Sequence, residues 1–218
     1  MNPRGLETAI ERFLLCQRAF DALLQSFQSY QTDPRALRTC KMHWLDYLVQ
    51  WKGAYSKIQQ AAKDTPQERQ WFGAVNSDRK NDPLLQYLYL ARNDGEHGLD
   101  DTVEYPPFSY GISPRSGDID ITNIKMGQDG HPILFGSDGN PIDADILITG
   151  PKEPKLKEVS ERDAKRKVQP PTSHLDQPVE PTPVVAAQLG LRWLASMIAT
   201  AQAMQTSGLT NSDARFKP

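Results

Sequence analysis

Two stretches of apolar residues, spaced alternately three and four positions apart, constrain the fold of this chain most. In residues 6–30 the spacing marks a single stripe along one helix, and residues 37–61 repeat it. Between them, Asp33-Pro34 supplies a capping residue and a proline at the first helical position. Because the connection is so short, the two helices are predicted to pack as an antiparallel hairpin.

The same start signal recurs along the chain. Thr65-Pro66, followed by Glu68, predicts a third helix with a capping box. Asp82-Pro83 predicts a fourth helix, and Gly95 is typical of its end. Four helices by residue 95 predict a helical bundle over residues 1–99.

After residue 99 the composition changes. Residues 100–150 are rich in Gly, Pro and Asp and contain short alternating runs, which predict a small antiparallel β-meander packed on the bundle. Residues 151–182 are charged and rich in proline, which predicts a flexible linker in which His174 is solvated. The chain is therefore predicted to be an α+β protein, mainly α.

Residues 183–208 are predicted to form a C-terminal helix, started by Thr182-Pro183. The segment is apolar enough that a membrane span must be considered, but Arg192 near its centre would cost roughly 2.5–3.5 kcal/mol in a bilayer. We expect it to pack on the bundle or on a partner helix, with no membrane.

Charge and cysteine content narrow the class of protein. A net charge of -2 and a pI near 6.1 exclude a globally basic nucleic-acid binder, although a local basic face remains open. Cys16 and Cys40 lie on apolar helix stripes, which favours reduced core thiols over a disulfide. The first residues lack the apolar core of a signal peptide. These features together predict a cytoplasmic protein.

The most polar cluster on an apolar helix lies within residues 82–98, at the end of the fourth helix. Histidine exchanges protons near neutral pH, and a guanidinium binds phosphate through two parallel hydrogen bonds. Elsewhere no paired His or Cys at ligand spacing and no phosphate-binding glycine loop occurs, so neither a metal nor a cofactor is predicted. The cluster comprises Arg92, Asn93, Asp94, Glu96 and His97.

The order Arg92, Asn93, then His97 resembles the motif of the HEPN superfamily of helical RNA-cleaving domains. That resemblance implies a metal-independent ribonuclease, of toxin or defence type, that acts as a homodimer on RNA. It assigns His97 as the general acid or base, Arg92 as the phosphate-stabilising cation and Asn93 as a positioning group. A turn starting at Asp94 would bring Arg92 and His97 together.

Two other interpretations stay open. Arg and His near a helix end also complement the helix dipole, so the cluster is equally typical of a solvated helix terminus. The chain as a whole also suits a non-catalytic helical scaffold or protein–protein interaction module. A scaffold predicts self-association in light scattering that does not change in Arg92→Ala.

Overall fold

The computed structural model describes residues 1–96, 102–114, 120–128, 131–142, 144–150, 152–160 and 167–207. These residues form a mainly α, α+β fold, as predicted, in which a helical bundle carries short antiparallel strands. A 3-10 turn, Pro34–Ala36, precedes the second helix. The helices are α1 (Pro3–Tyr30), α2 (Leu37–Ala61), α3 (Pro66–Asn81), α4 (Pro83–Glu96) and α5 (Pro183–Ser207).

Helices α1 and α2 form the predicted antiparallel hairpin. At one end the Asn2 N–H donates to the Ala61 carbonyl at 3.1 Å. Towards the other end the Cys40 thiol donates to the Ser26 carbonyl at 3.1 Å. Both cysteines are unpaired and buried, and burial raises the pKa of each thiol. The apolar stripes therefore face each other, and the thiols behave as small core groups.

Helices α3 and α4 begin at the predicted residues. Thr65 accepts from the Glu68 N–H, and the Glu68 carboxylate accepts in return from the Thr65 N–H, which completes the capping box. Helix α4 continues as helix to Glu96. No turn therefore starts at Asp94, and the described helix extends one residue beyond the stop predicted at Gly95.

Helix α5 packs into the bundle, one of the two arrangements predicted for it. Two aromatic donors on α2 reach its backbone: Tyr47 Oη donates to the Ala187 carbonyl at 2.7 Å, and Trp51 Nε1 to the Gly190 carbonyl at 3.0 Å. A Cβ on Gly190 would lie 2.5 Å from Leu88 Cδ1, so only glycine permits this approach. Pro183–Thr206 is also long and apolar enough to cross a membrane, so the absence of membrane association stays a prediction.

The strands of the predicted meander pair antiparallel, but as a nested ribbon in which earlier strands pair with successively later ones. The innermost pair is β3 (Ile121–Met126) with β4 (Pro132–Gly136), and the next is β2 (Ser109–Pro114) with β5 (Ala144–Thr149). Outermost, β1 (Val103–Glu104) pairs with β6 (Lys155–Leu156). The base of this ribbon packs on α1 through Tyr105 and Phe108, whose rings lie edge-on to Tyr30.

The segment 151–182 is not a flexible linker where the structure describes it. Besides β6, it forms β7 (Val159–Ser160), β8 (Lys167–Val168), β9 (Ser173–His174) and β10 (Gln177–Pro178), and both β7 and β9 contact α4. Val159 is fully buried and His174 nearly so. The prediction failed because the few apolar side chains of this segment are enough to pack it against the bundle. Their partners lie on α4, which is far away in the sequence.

Candidate functional site

Helix α4 carries the predicted site and is anchored at its start by a buried carboxylate. Asp82 Oδ1 accepts from the Leu85 N–H at 2.8 Å, which caps the helix, and Oδ2 accepts from the Leu175 N–H at 2.7 Å. His174 Nδ1 lies 3.1 Å from both carboxylate oxygens. Asp82 and His174 are 7% and 8% exposed. The prediction that His174 is solvated is therefore wrong.

The surroundings of Asp82 favour its charged form. Burial alone would raise the pKa of the carboxyl, but hydrogen bonds from His174 and from the Leu175 and Leu85 N–H groups lower it overall. The β9–β10 turn that supplies two of these donors contains Leu175 and Asp176 at positive φ, 47° and 62°. Non-glycine residues rarely adopt this conformation. The hydrogen bond from the Leu175 N–H to Asp82 therefore helps to stabilise the turn.

The other half of α4 carries the residues of the predicted motif. Arg92 lies on α4 and is half-buried. Asn93 is part of the helical backbone, although its side chain is outside the described set. His97 lies outside the described residues. The distance between Arg92 and His97, on which the catalytic prediction depends, is therefore not tested.

One turn before Arg92, two cations lie against the ring of Tyr89. Lys52 Nζ of α2 is 4.4 Å from the ring centre, and Arg79 Cζ of α3 is 4.2 Å from it. Because residues three and four apart share a helix face, Tyr89 lies on the same side of α4 as Arg92 and Asn93. We call Lys52, Arg79 and Tyr89 the cation cluster. It adds positive charge directly beside the predicted site.

Arg79 is the buried member of this cluster, with 9% exposure. Its Nη2 donates to Asn76 Oδ1 at 3.3 Å, but its buried Nε has no hydrogen-bond partner among the described residues. Among the described residues, no carboxylate lies within ion-pair distance of Arg79. Burial raises the pKa of Tyr55, and the charge of Arg79 opposes this.

The two cations repel each other. Since both lie within 4.4 Å of one ring centre, they are at most about 9 Å apart. Unit charges at that separation repel by about 2 kcal/mol at an effective dielectric constant of 20. Their attraction to the π-face of Tyr89 offsets part of this. An anion near the cluster would offset part of this repulsion.

Sequence reasoning missed the cation cluster for a definite reason. Its three members come from three helices, and Arg79 lies in the polar run 76–81, where the apolar pattern of α3 fades. His43 is an ordinary boundary residue, as its Nδ1 lies 2.9 Å from the Ala22 carbonyl of α1. Within the described residues no group of three or more His, Cys, Asp or Glu side chains is placed to hold a metal.

Comparison of the chain with protein-family models, with curated proteins and with solved structures finds no match. The function must therefore be inferred from the residues and contacts of α4 and its neighbours.

Proposed function

We propose that this protein is a HEPN-like RNA-binding protein that cleaves RNA without a metal ion, in a toxin or defence role and in the cytoplasm. The observation that supports this most is the position of Arg92 and Asn93. They lie on a bundle helix, on the side where the cation cluster gathers positive charge. A protein with a net charge of -2 gains local attraction for a polyanion from such a cluster.

The chemistry assigns a role to each residue of the motif. In RNA cleavage the 2′-hydroxyl attacks the adjacent phosphorus, so a base must accept its proton and an acid must protonate the leaving 5′-oxygen. His97 is proposed for proton transfer because imidazole exchanges protons near pH 7. Arg92 is proposed to bind the phosphate oxygens as negative charge builds on them. Asn93 is proposed to position the strand by hydrogen bonding.

A homodimer is proposed with this function, because the HEPN resemblance implies two copies of the motif facing each other. On that arrangement the catalytic groups of the two copies act on one RNA strand. The described residues allow such an approach from the exposed side of α2, where Met42, Leu45 and Val49 follow helical spacing and remain exposed.

The proposed function is tested with purified protein, a fluorescently labelled single-stranded RNA and excess EDTA. Wild-type protein should cleave the RNA, and His97→Ala should slow cleavage by at least about 100-fold, since positioned acid–base groups contribute 10²–10⁴. His131→Ala, a histidine in the ribbon, is the matched control and should keep full activity. Circular dichroism should show equal helix content in all three proteins. Equal cleavage by wild type and His97→Ala, or none by wild type, would contradict the proposal.

A further inference from the structure

Tyr89 is contacted by a cation from each of two neighbouring helices. Lys52 reaches it from α2 and Arg79 from α3, at 4.4 and 4.2 Å from the ring centre. Lys52 and Tyr89 are both partly exposed, whereas Arg79 is about nine-tenths buried. The ring of Tyr89 is therefore contacted by one cation on a partly exposed residue and by one on a buried residue.

The buried guanidinium is the unusual member. Buried charges in folded proteins are normally paired or fully hydrogen-bonded. Arg79 Nη2 donates to Asn76 and the guanidinium also interacts with the Tyr55 hydroxyl, but its Nε is buried without a partner in the part of the chain that the structure describes. A guanidinium in this state favours a nearby anion, because its field is screened less than that of a surface charge.

The cluster also lies at a useful distance from the motif. One helical turn, about 5.4 Å along the axis, separates Tyr89 from Arg92 and Asn93. Both positions lie on the same side of α4. A strand whose reacting phosphate is bound at Arg92 would therefore carry its next phosphate past Lys52.

We propose that Lys52 and Arg79 form a second phosphate-binding position, which holds a phosphodiester next to the one bound at Arg92. This inference rests on the proposed RNA substrate. Lys52 contacts the phosphate oxygens directly, and Arg79 contributes its charge from behind the Tyr89 ring. The position recognises backbone only, so it takes single-stranded RNA of any sequence.

The test measures binding rather than cleavage. The probe is a fluorescent 12-nucleotide strand of 2′-O-methyl RNA, which keeps every phosphate but lacks the attacking hydroxyl. Anisotropy titrations over a range of salt concentrations give both the affinity and its salt slope. Lys52→Gln should weaken binding about 3- to 10-fold at low salt and lower the log–log salt slope by about 0.7, the value for one phosphate contact on a single strand.

Two further variants complete the test. The matched control is Lys57→Gln, which changes a partly exposed lysine on α2 whose Nζ donates to Gln60, and it should leave affinity and slope unchanged. Arg79→Met should weaken binding in the same direction as Lys52→Gln, with folding checked by thermal unfolding. Because Lys52 is on the surface, Lys52→Gln decides the question even where Arg79→Met does not fold.

The outcomes separate this inference from the proposed function. An unchanged affinity and slope in Lys52→Gln overturn the second phosphate position, even if wild-type protein cleaves RNA. No binding of the probe by wild-type protein overturns it as well. A loss of slope specific to Lys52→Gln, in a protein that never cleaves ordinary RNA, supports the phosphate position and overturns the proposed cleavage instead.

Discussion

Two buried charges lie beside helix α4, Asp82 at its start and Arg79 of α3 against Tyr89, and they are paired to different extents. At the start of the helix, the Asp82 carboxylate accepts hydrogen bonds from the Leu85 and Leu175 N–H groups and lies 3.1 Å from the His174 ring nitrogen. Beside the middle of the helix, Arg79 of α3 donates to Asn76 at 3.3 Å and interacts with Tyr55, but its buried Nε has no partner in the described residues.

This difference distinguishes a buried charge with a structural role from a buried charge with a functional role. A buried charge that is fully hydrogen-bonded rigidifies its surroundings and needs nothing further. A buried charge that is incompletely paired lowers stability, and groups that break the usual rules of burial occur preferentially at functional or strained sites. The start of α4 is therefore interpreted as an anchor, and the region around Tyr89 and Arg92 as a binding surface.

The largest stability effect is expected for Asp82→Ala. This change removes the cap of α4 and leaves the buried His174 and the Leu175 N–H without an acceptor, so it should lower the free energy of unfolding by about 3–5 kcal/mol.

The matched control is Asp33→Ala, which removes the other Asp-Pro cap. The Asp33 side chain is 39% exposed and accepts its side-chain hydrogen bonds from Arg35 among the described residues, so its loss should cost less than about 1 kcal/mol. Urea denaturation measures both. Similar losses in the two variants would remove the basis for calling Asp82 an anchor.

A much smaller loss of stability, or a gain, is expected for Arg79→Met. Replacing its guanidinium with the apolar side chain of Arg79→Met removes an incompletely paired buried charge but also the contact with Tyr89. The free energy of unfolding should therefore rise, or fall by less than about 1 kcal/mol, while phosphate binding weakens. A loss as large as that of Asp82→Ala would show that Arg79 has a structural role. It would contradict the distinction between Asp82 as an anchor and Arg79 as part of a binding surface.

The smallest effect concerns the dependence of stability on pH. Because the folded pKa of Asp82 is lowered, its stabilisation is fully present above its unfolded pKa, about 3.9, and is lost as the pH falls through the folded value. Asp82→Asn should therefore flatten the loss of stability between pH 5 and pH 2. The pKa of Asp78 is raised, by burial and then by the charge of Asp82, so Asp78→Asn should act in the opposite sense. Urea titrations across this pH range measure both slopes, and parallel curves for wild type and Asp82→Asn would contradict the assignment.

The parts of the fold that were predictable depend on neighbours in sequence. Thr65, Asp82 and Thr182 each begin a helix because a side-chain oxygen accepts an N–H three residues later. The contacts that the sequence concealed join distant residues: His174 and Asp82 are 92 positions apart. No local pattern in the proline-rich segment 151–182 indicates that its histidine is buried.

The residues of the candidate site differ in the same way, since some are neighbours in sequence and others are brought together only by packing. Arg92 and Asn93 were identifiable because they lie side by side on one helix. Lys52 and Arg79 were not, since only the packing of α2 and α3 against Tyr89 brings them together. Polar residues such as those of the run 76–81 are expected on helix surfaces, and burial of one arginine among them follows from tertiary structure alone.

The most direct test of the central claim, that this end of α4 is an RNA-cleaving site, is the rate of RNA cleavage in EDTA by wild type and by Arg92→Ala. We expect cleavage by wild-type protein and a loss of about 100-fold or more in Arg92→Ala, in the range measured for removal of one group that stabilises transition-state charge, with an unchanged melting temperature. Equal rates in the two proteins, or an inactive wild type, would contradict it.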